Sequence, residues 1–224
     1  MIPPRFEYYT RTFRSEESLA NVALQWRKAG GIYNSGYFDI VTFFEDVLHK
    51  KEFAGKGILS LEFLDEASGY YPAYVSYNPL TLHIDPEVWQ LAKQGDPISR
   101  HIIAHEIGHV ILHDHHAKAF SNDHSQNAKF AQNEYRVEWQ ADRFADHLLA
   151  PDHIVRAFND HKTLAAHCFV PAKLAQERFD RVSQTNRKLP RYSGEACPKC
   201  NNFTLARTGL RQKCETCGKI VSEF

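Results

Sequence analysis

Apolar residues recur at helical spacing over Glu16–Ala29, where Leu19, Val22, Ala23 and Trp26 form one stripe. Ser15 stands where an N-cap belongs, and Gly30-Gly31 where the helix should stop. A second helix is expected over residues 40–50, with Asp39 as cap and Val41, Phe44, Val47 and Leu48 turned inward. The pattern then changes. Residues 58–64 and 70–77 are β-rich, and residues 81–84 follow an Asn78-Pro79 turn, which reads as a small antiparallel sheet. Asp85-Pro86 opens a short helix. Asp96-Pro97 opens a longer one, with cap and N1 proline in their usual places. Residues 113–132 are polar and read as a loop. A long helix is expected over about residues 133–149, ending before Pro151, and further helices over residues 152–159 and 171–182. Residues 183–195 are polar, carry Pro190 and Gly194, and read as a linker.

The helix after Asp96 carries chemistry. His105-Glu106-Ile107-Gly108-His109 is an H-E-x-x-H pentad. A helix turns once in about 3.6 residues, so His105 and His109 stand one above the other, and both imidazoles can bind one Zn²⁺. Glu106 projects about 100° around from His105, beside the position left for water. This is the minimal equipment for metal-assisted peptide hydrolysis. Solvated histidines on a surface helix are the alternative. The flanking Ile102, Ile103, Ala104, Ile107, Val110, Ile111 and Leu112 argue against it, because a buried imidazole or carboxylate needs a partner.

A catalytic zinc needs a third protein ligand and an open position. Glu138 is the candidate, within Glu138-Trp139-Gln140-Ala141-Asp142-Arg143-Phe144-Ala145. Asp142 lies four residues on, on the same helix face, where it could orient a liganding histidine. The stretch from His105 to His113, then Glu138 to Ala145, then Leu148-Leu149-Ala150-Pro151, resembles the ImmA/IrrE family of zinc metallopeptidases. The resemblance extends over roughly residues 15–182. It departs at Ala150, where the family often has Met. It implies His105, His109 and Glu138 as zinc ligands, with Glu106 the general base that deprotonates a zinc-activated water. Tyr135, His101 and His113 are candidates for stabilising the oxyanion, although helix-end or supporting roles suit them better.

Cys197-Pro198-Lys199-Cys200 and Cys214-Glu215-Thr216-Cys217 are two C-x-x-C knuckles, the spacing of a zinc ribbon. Four thiolates would close the coordination sphere, so this second zinc is expected to be structural. About thirty residues bury too little surface to fold unaided, and metal binding would supply what is missing. Dithiol redox chemistry is the lesser alternative. Cys168, in an apolar context, reads as a packing residue.

The expected fold class is therefore α+β: a mainly helical, zincin-like metalloprotease domain with a small antiparallel sheet, plus the ribbon. The expected division is residues 1–185, a linker at 186–194, and a four-cysteine zinc ribbon at 195–224. Composition changes little. Lys plus Arg (27) equal Asp plus Glu (27), so bulk charge points to neither nucleic acid nor membrane. No apolar run approaches membrane-spanning length, and residues 1–7 lack a signal-type stretch, so a cytoplasmic location is expected. Paired cysteines suit such a reducing compartment.

The expected activity is zinc endopeptidase action on a protein substrate, by resemblance a helix-turn-helix transcriptional repressor carried on another chain. One competing reading is a non-catalytic regulator that binds DNA or protein through the ribbon; its Arg207, Arg211, Lys213 and Lys219 give only weak support to nucleic acid. Another is a SprT-like protease, which would need a third histidine in an H-G motif that this sequence does not show.

Overall fold

A computed structural model describes residues 10, 12–65, 71–113, 133–188, 196–200, 205–208, 211–214 and 216–222. Two compact units divide at Phe179/Asp180. The first opens with α1 (Glu16–Ala29). Ser15 accepts the Ser18 amide at 3.2 Å, acids fill the first turn, and Arg27 and Lys28 the last, as the helix dipole favours. Leu19, Ala23 and Arg27 form its buried side.

Helix α2 (Ile40–Phe43) runs into a π-helical turn, Phe44–Leu48. A regular α-helix was expected here. The wider turn lets Phe43, Phe44 and Leu48 all enter the core, where Phe44 meets Trp89 edge to face at 5.4 Å.

Strands β1 (Glu52–Phe53) and β2 (Gly57–Ile58) form a small hairpin. Strands β3 (Ser60–Phe63), β4 (Ala73–Tyr77) and β5 (Leu80–Ile84) form a sheet in the order β3-β5-β4. This sheet corrects the antiparallel expectation, for it is mixed: β4 runs antiparallel to β5, but β3 runs parallel to it. The physical reason is burial. Leu80, Thr81, Leu82 and Ile84 are all buried, so β5 takes the centre and largely exposed β3 an edge.

Helices α3 (Pro86–Lys93) and α4 (Pro97–Leu112) follow, each with a capping aspartate and a proline in the first turn. A single 3₁₀ turn, Asn133–Tyr135, precedes α5 (Val137–Leu149), which packs against both α1 and α4. The expected helix over 152–159 stops early: α6 is only Asp152–Val155. A further helix, α7 (His161–Cys168), starts where Asp160 caps the amides of Lys162 and Thr163. The chain leaves α7 through Phe169 in the left-handed region (φ 51°). Helix α8 (Ala172–Lys188) continues past Val182 through residues whose polarity reads as linker.

The second unit holds β6 (Leu205–Thr208), β7 (Arg211–Cys214) and β8 (Ile220–Ser222), an antiparallel sheet in that order. Residues 114–132, most of the expected polar loop, and 189–195, in the expected linker, lie outside the described residues.

Candidate metal centre

Helix α4 owes its position to both ends. At its start, Asp96 accepts the Ser99 amide at 2.8 Å, and Arg100 donates to the carbonyls of Cys168 (2.9 Å), Phe38 (2.7 Å) and Phe169. At its finish, Tyr77 donates to the His109 carbonyl at 3.1 Å, and Lys56 to the carbonyls of Val110 (2.6 Å) and His113. A cation at the last turn also suits the helix dipole. Ile103, Ala104, Ile107 and Gly108 are buried, so the helix is packed on several sides.

This framework brings His105, His109 and Glu138 together. Their nearest ligand atoms lie within 4.8 Å of one another. His105 Nε2 is 3.0 Å from His109 Nε2 and 3.3 Å from Glu138 Oε2, while His109 Nε2 is 3.6 Å from Glu138 Oε1. Zinc–nitrogen and zinc–oxygen bonds of about 2.0–2.1 Å in a tetrahedron give donor separations of roughly 3.3 Å. The three donors fit that ion in chemistry and spacing.

The electrostatics agree. Burial opposes protonation of His105, but hydrogen bonds to Asp142 and Glu138, with the nearby Glu106 charge, carry its pKa up to about 10. A field that strongly favours a proton favours any cation held there. Hydrogen bonds from His105 and His109 hold Glu138 well below the usual carboxylate range. Burial raises Glu106 above its ordinary value, against the opposing influence of His109 and His105. A carboxylate pushed upward is a better proton acceptor.

The supporting residues separate into two routes. Asp142 Oδ1 lies 2.8 Å from His105 Nδ1. Its own pKa is lowered, because the His105 hydrogen bond and charge outweigh the burial that opposes its ionisation. His109 instead has His113, the two Nδ1 atoms being 3.2 Å apart, and His113 Nε2 is 3.0 Å from Gln140 Oε1. Burial, with the nearby His109 charge, pushes the His113 pKa down to about 3, so this ring is neutral. Of the other candidates for the oxyanion, His101 Nε2 faces Asp146 at 3.6 Å, beside the Arg143–Asp146 pair, and Tyr135 packs on Phe13. Sequence reasoning missed Lys56, Tyr77 and Gln140. Lys56 and Tyr77 carry no local signal, since both act from another part of the chain.

In the second unit the four sulfurs of Cys197, Cys200, Cys214 and Cys217 also lie within 4.8 Å of one another. Cys197 and Cys217 are 3.6 Å apart, and Cys200 and Cys214 3.5 Å. Zinc–sulfur bonds near 2.3 Å give tetrahedral edges of about 3.8 Å, so this donor set also fits zinc. The Lys199 amide donates to Cys197 Sγ at 3.4 Å, and Gly218, at φ 72°, turns the second knuckle.

Residues 92–180 match the family model described as the IrrE N-terminal-like domain. A curated relative, the vitamin B12-dependent ribonucleotide reductase of Bradyrhizobium diazoefficiens, is 39% identical over 75 residues, which is 34% of this chain and 5% of that protein. The chain thus spans a small fraction of that relative. No solved structure matches. The matched segment contains α4 and α5, and with them the pentad and Glu138, and this match supports the ImmA/IrrE metallopeptidase family.

Proposed function

We propose that this protein is a zinc endopeptidase, with His105, His109 and Glu138 as metal ligands and Glu106 as general base. The convergence of those three donors, with Glu106 one residue along the same helix, is the observation that carries this reading. Zinc held there supplies Lewis acidity, which activates a water and polarises the scissile carbonyl. Glu106 accepts a proton on its carboxylate and returns it to the leaving amine. Burial supports that role by making the carboxylate more basic. Asp142 holds the His105 ring from behind and sustains its donor strength. The four cysteines hold a second, structural zinc in residues 195–224, following a domain at 1–185 and a linker at 186–194.

The proposed substrate is a separate protein, a helix-turn-helix transcriptional repressor by family resemblance, and the proposed location is the cytoplasm. Among the described residues, no helix is long and apolar enough to cross a membrane. Glu106→Gln should keep the metal and lose the base. Expressed in the native host, it should retain a repressor that the zinc-loaded wild type cleaves and Glu138→Ala does not. Polypeptides or nucleic acid retained equally by all three, with nothing cleaved, would replace this reading by a binding module.

A further inference from the structure

Gln140 is fully buried, two residues past Glu138, and the proton chemistry above leaves it unused. Its amide nitrogen donates to the carbonyls of Thr12 at 2.9 Å and Glu134 at 2.6 Å. Carbonyl oxygens only accept. The NH₂ end of the amide must therefore face them, and Oε1 must face His113. With Oε1 3.0 Å away, His113 Nε2 carries the ring hydrogen, and its Nδ1 is left as an acceptor. His109 Nδ1, 3.2 Å from that acceptor, then carries its own hydrogen. The lone pair of His109 is left on Nε2, the atom that faces His105 and Glu138.

We propose that Gln140 and His113 are positioning residues that fix His109 in the tautomer able to ligate through Nε2, with the polarity set by the backbone carbonyls of Thr12 and Glu134. Reversing the amide would reverse every hydrogen along the chain and place N–H on His109 Nε2, where it could not bind a metal. His105 reaches the same tautomer through a carboxylate, Asp142; His109 reaches it through a neutral relay. The proposal rests on the metal-centre reading above.

The test uses the full-length chain loaded with zinc. Long-range ¹H–¹⁵N correlation spectra report which nitrogen of each imidazole carries hydrogen. The expected result is Nε2–H on His113 and Nδ1–H on His109; Nδ1–H on His113 overturns the proposal. Two substitutions probe the same polarity. Gln140→Met removes the acceptor, whereas Gln140→Glu keeps an oxygen toward His113, and both lose the bonds to Thr12 and Glu134. Gln140→Met should weaken zinc binding at this site about 10–100-fold in chelator competition, with Gln140→Glu within about threefold of wild type, though both lower Tm. Equal losses that follow Tm in both variants would make Gln140 a packing residue only. If wild type and His105→Ala bind the same amount of zinc, the metal centre fails, and this inference with it.

Discussion

The Ala141 α-carbon occupies the space a side chain at Gly108 would need: a Cβ there would fall 3.1 Å from it, and 3.2 Å from the Ala141 carbonyl oxygen and Phe144 Cδ1. Helices α4 and α5 meet almost backbone to backbone at this point, one residue before His109 and three after Glu138. Glycine inside a helix costs about 1 kcal/mol against alanine, but overpacking a tight contact costs about 1–3 kcal/mol. Gly108→Val should therefore destabilise the protein by about 2–3 kcal/mol and separate Glu138 from the histidines. Denaturant melts and metal competition check both effects. Unchanged metal affinity would mean that the close approach is not what seats Glu138.

The two donor sets share no residue, so their metals should be lost separately. Wild type should carry about two zincs, with one lost in His105→Ala and the other in Cys200→Ser. Among the described residues of the C-terminal unit, Cys197, Leu205 and Cys214 cluster with Cys200, Cys217 and Val221 against them, so four of these six are the proposed ligands themselves. A chelator should melt β6–β8 and leave the helices of the first unit standing. Metal counts and amide hydrogen exchange read the two sites apart. Protected ribbon amides in strong chelator would contradict a metal-dependent fold.

Arg100 is fully buried and donates to carbonyls of two chain segments, Phe38 on one side and Cys168 with Phe169 on the other, with its guanidinium 4.3 Å from the Tyr37 ring centre. Arg100→Met should cost about 3–5 kcal/mol, because carbonyls buried with it lose their donor. Arg100→Lys should recover little, since a single ammonium cannot span the fork. Equilibrium unfolding measures this; a loss below about 1 kcal/mol would show that the segments hold without it.

Asp96 supplies a pH-dependent part of stability. The Ser99 amide, donating to its side chain, holds its pKa below the ordinary carboxylate value. A depressed folded-state pKa stabilises the fold above the unfolded value of about 4, and that contribution is lost as pH falls through the folded value. Asp96→Ala should cost about 1 kcal/mol at pH 7, and the difference from wild type should shrink in acid. Asp96→Asn should keep most of the cap at both pH values. Thermal melts at pH 7 and pH 3 decide it.

The starts of α1, α3 and α4, and the end of α1, were legible because caps and glycines announce themselves locally. The pentad was legible because four-residue spacing is fixed by helix geometry. Glu138 required a second motif at the right distance along the chain. The parallel pairing of β3 was not legible, since alternation says which face is buried but not which neighbour a strand takes. Helix α7 was missed because its hydrophobic stripe is thin: Leu164 and Cys168 are its buried residues. Gln140 lies 200° around α5 from Glu138, so following the Glu138–Asp142 face passes over it. Its partners Thr12 and His113 sit on distant stretches of the chain.

Lys56 spends its ammonium on the closing carbonyls of α4 instead of on water. An amine engaged in this way should be slow to react with a lysine-modifying reagent, while Lys50 and Lys213 at the surface are labelled first. The rate at which Lys56 becomes labelled then reports how often its side chain leaves the last turn of the helix that carries the pentad. A single lysine thus becomes a built-in reporter of how firmly that helix end is held, readable by mass spectrometry without substrate.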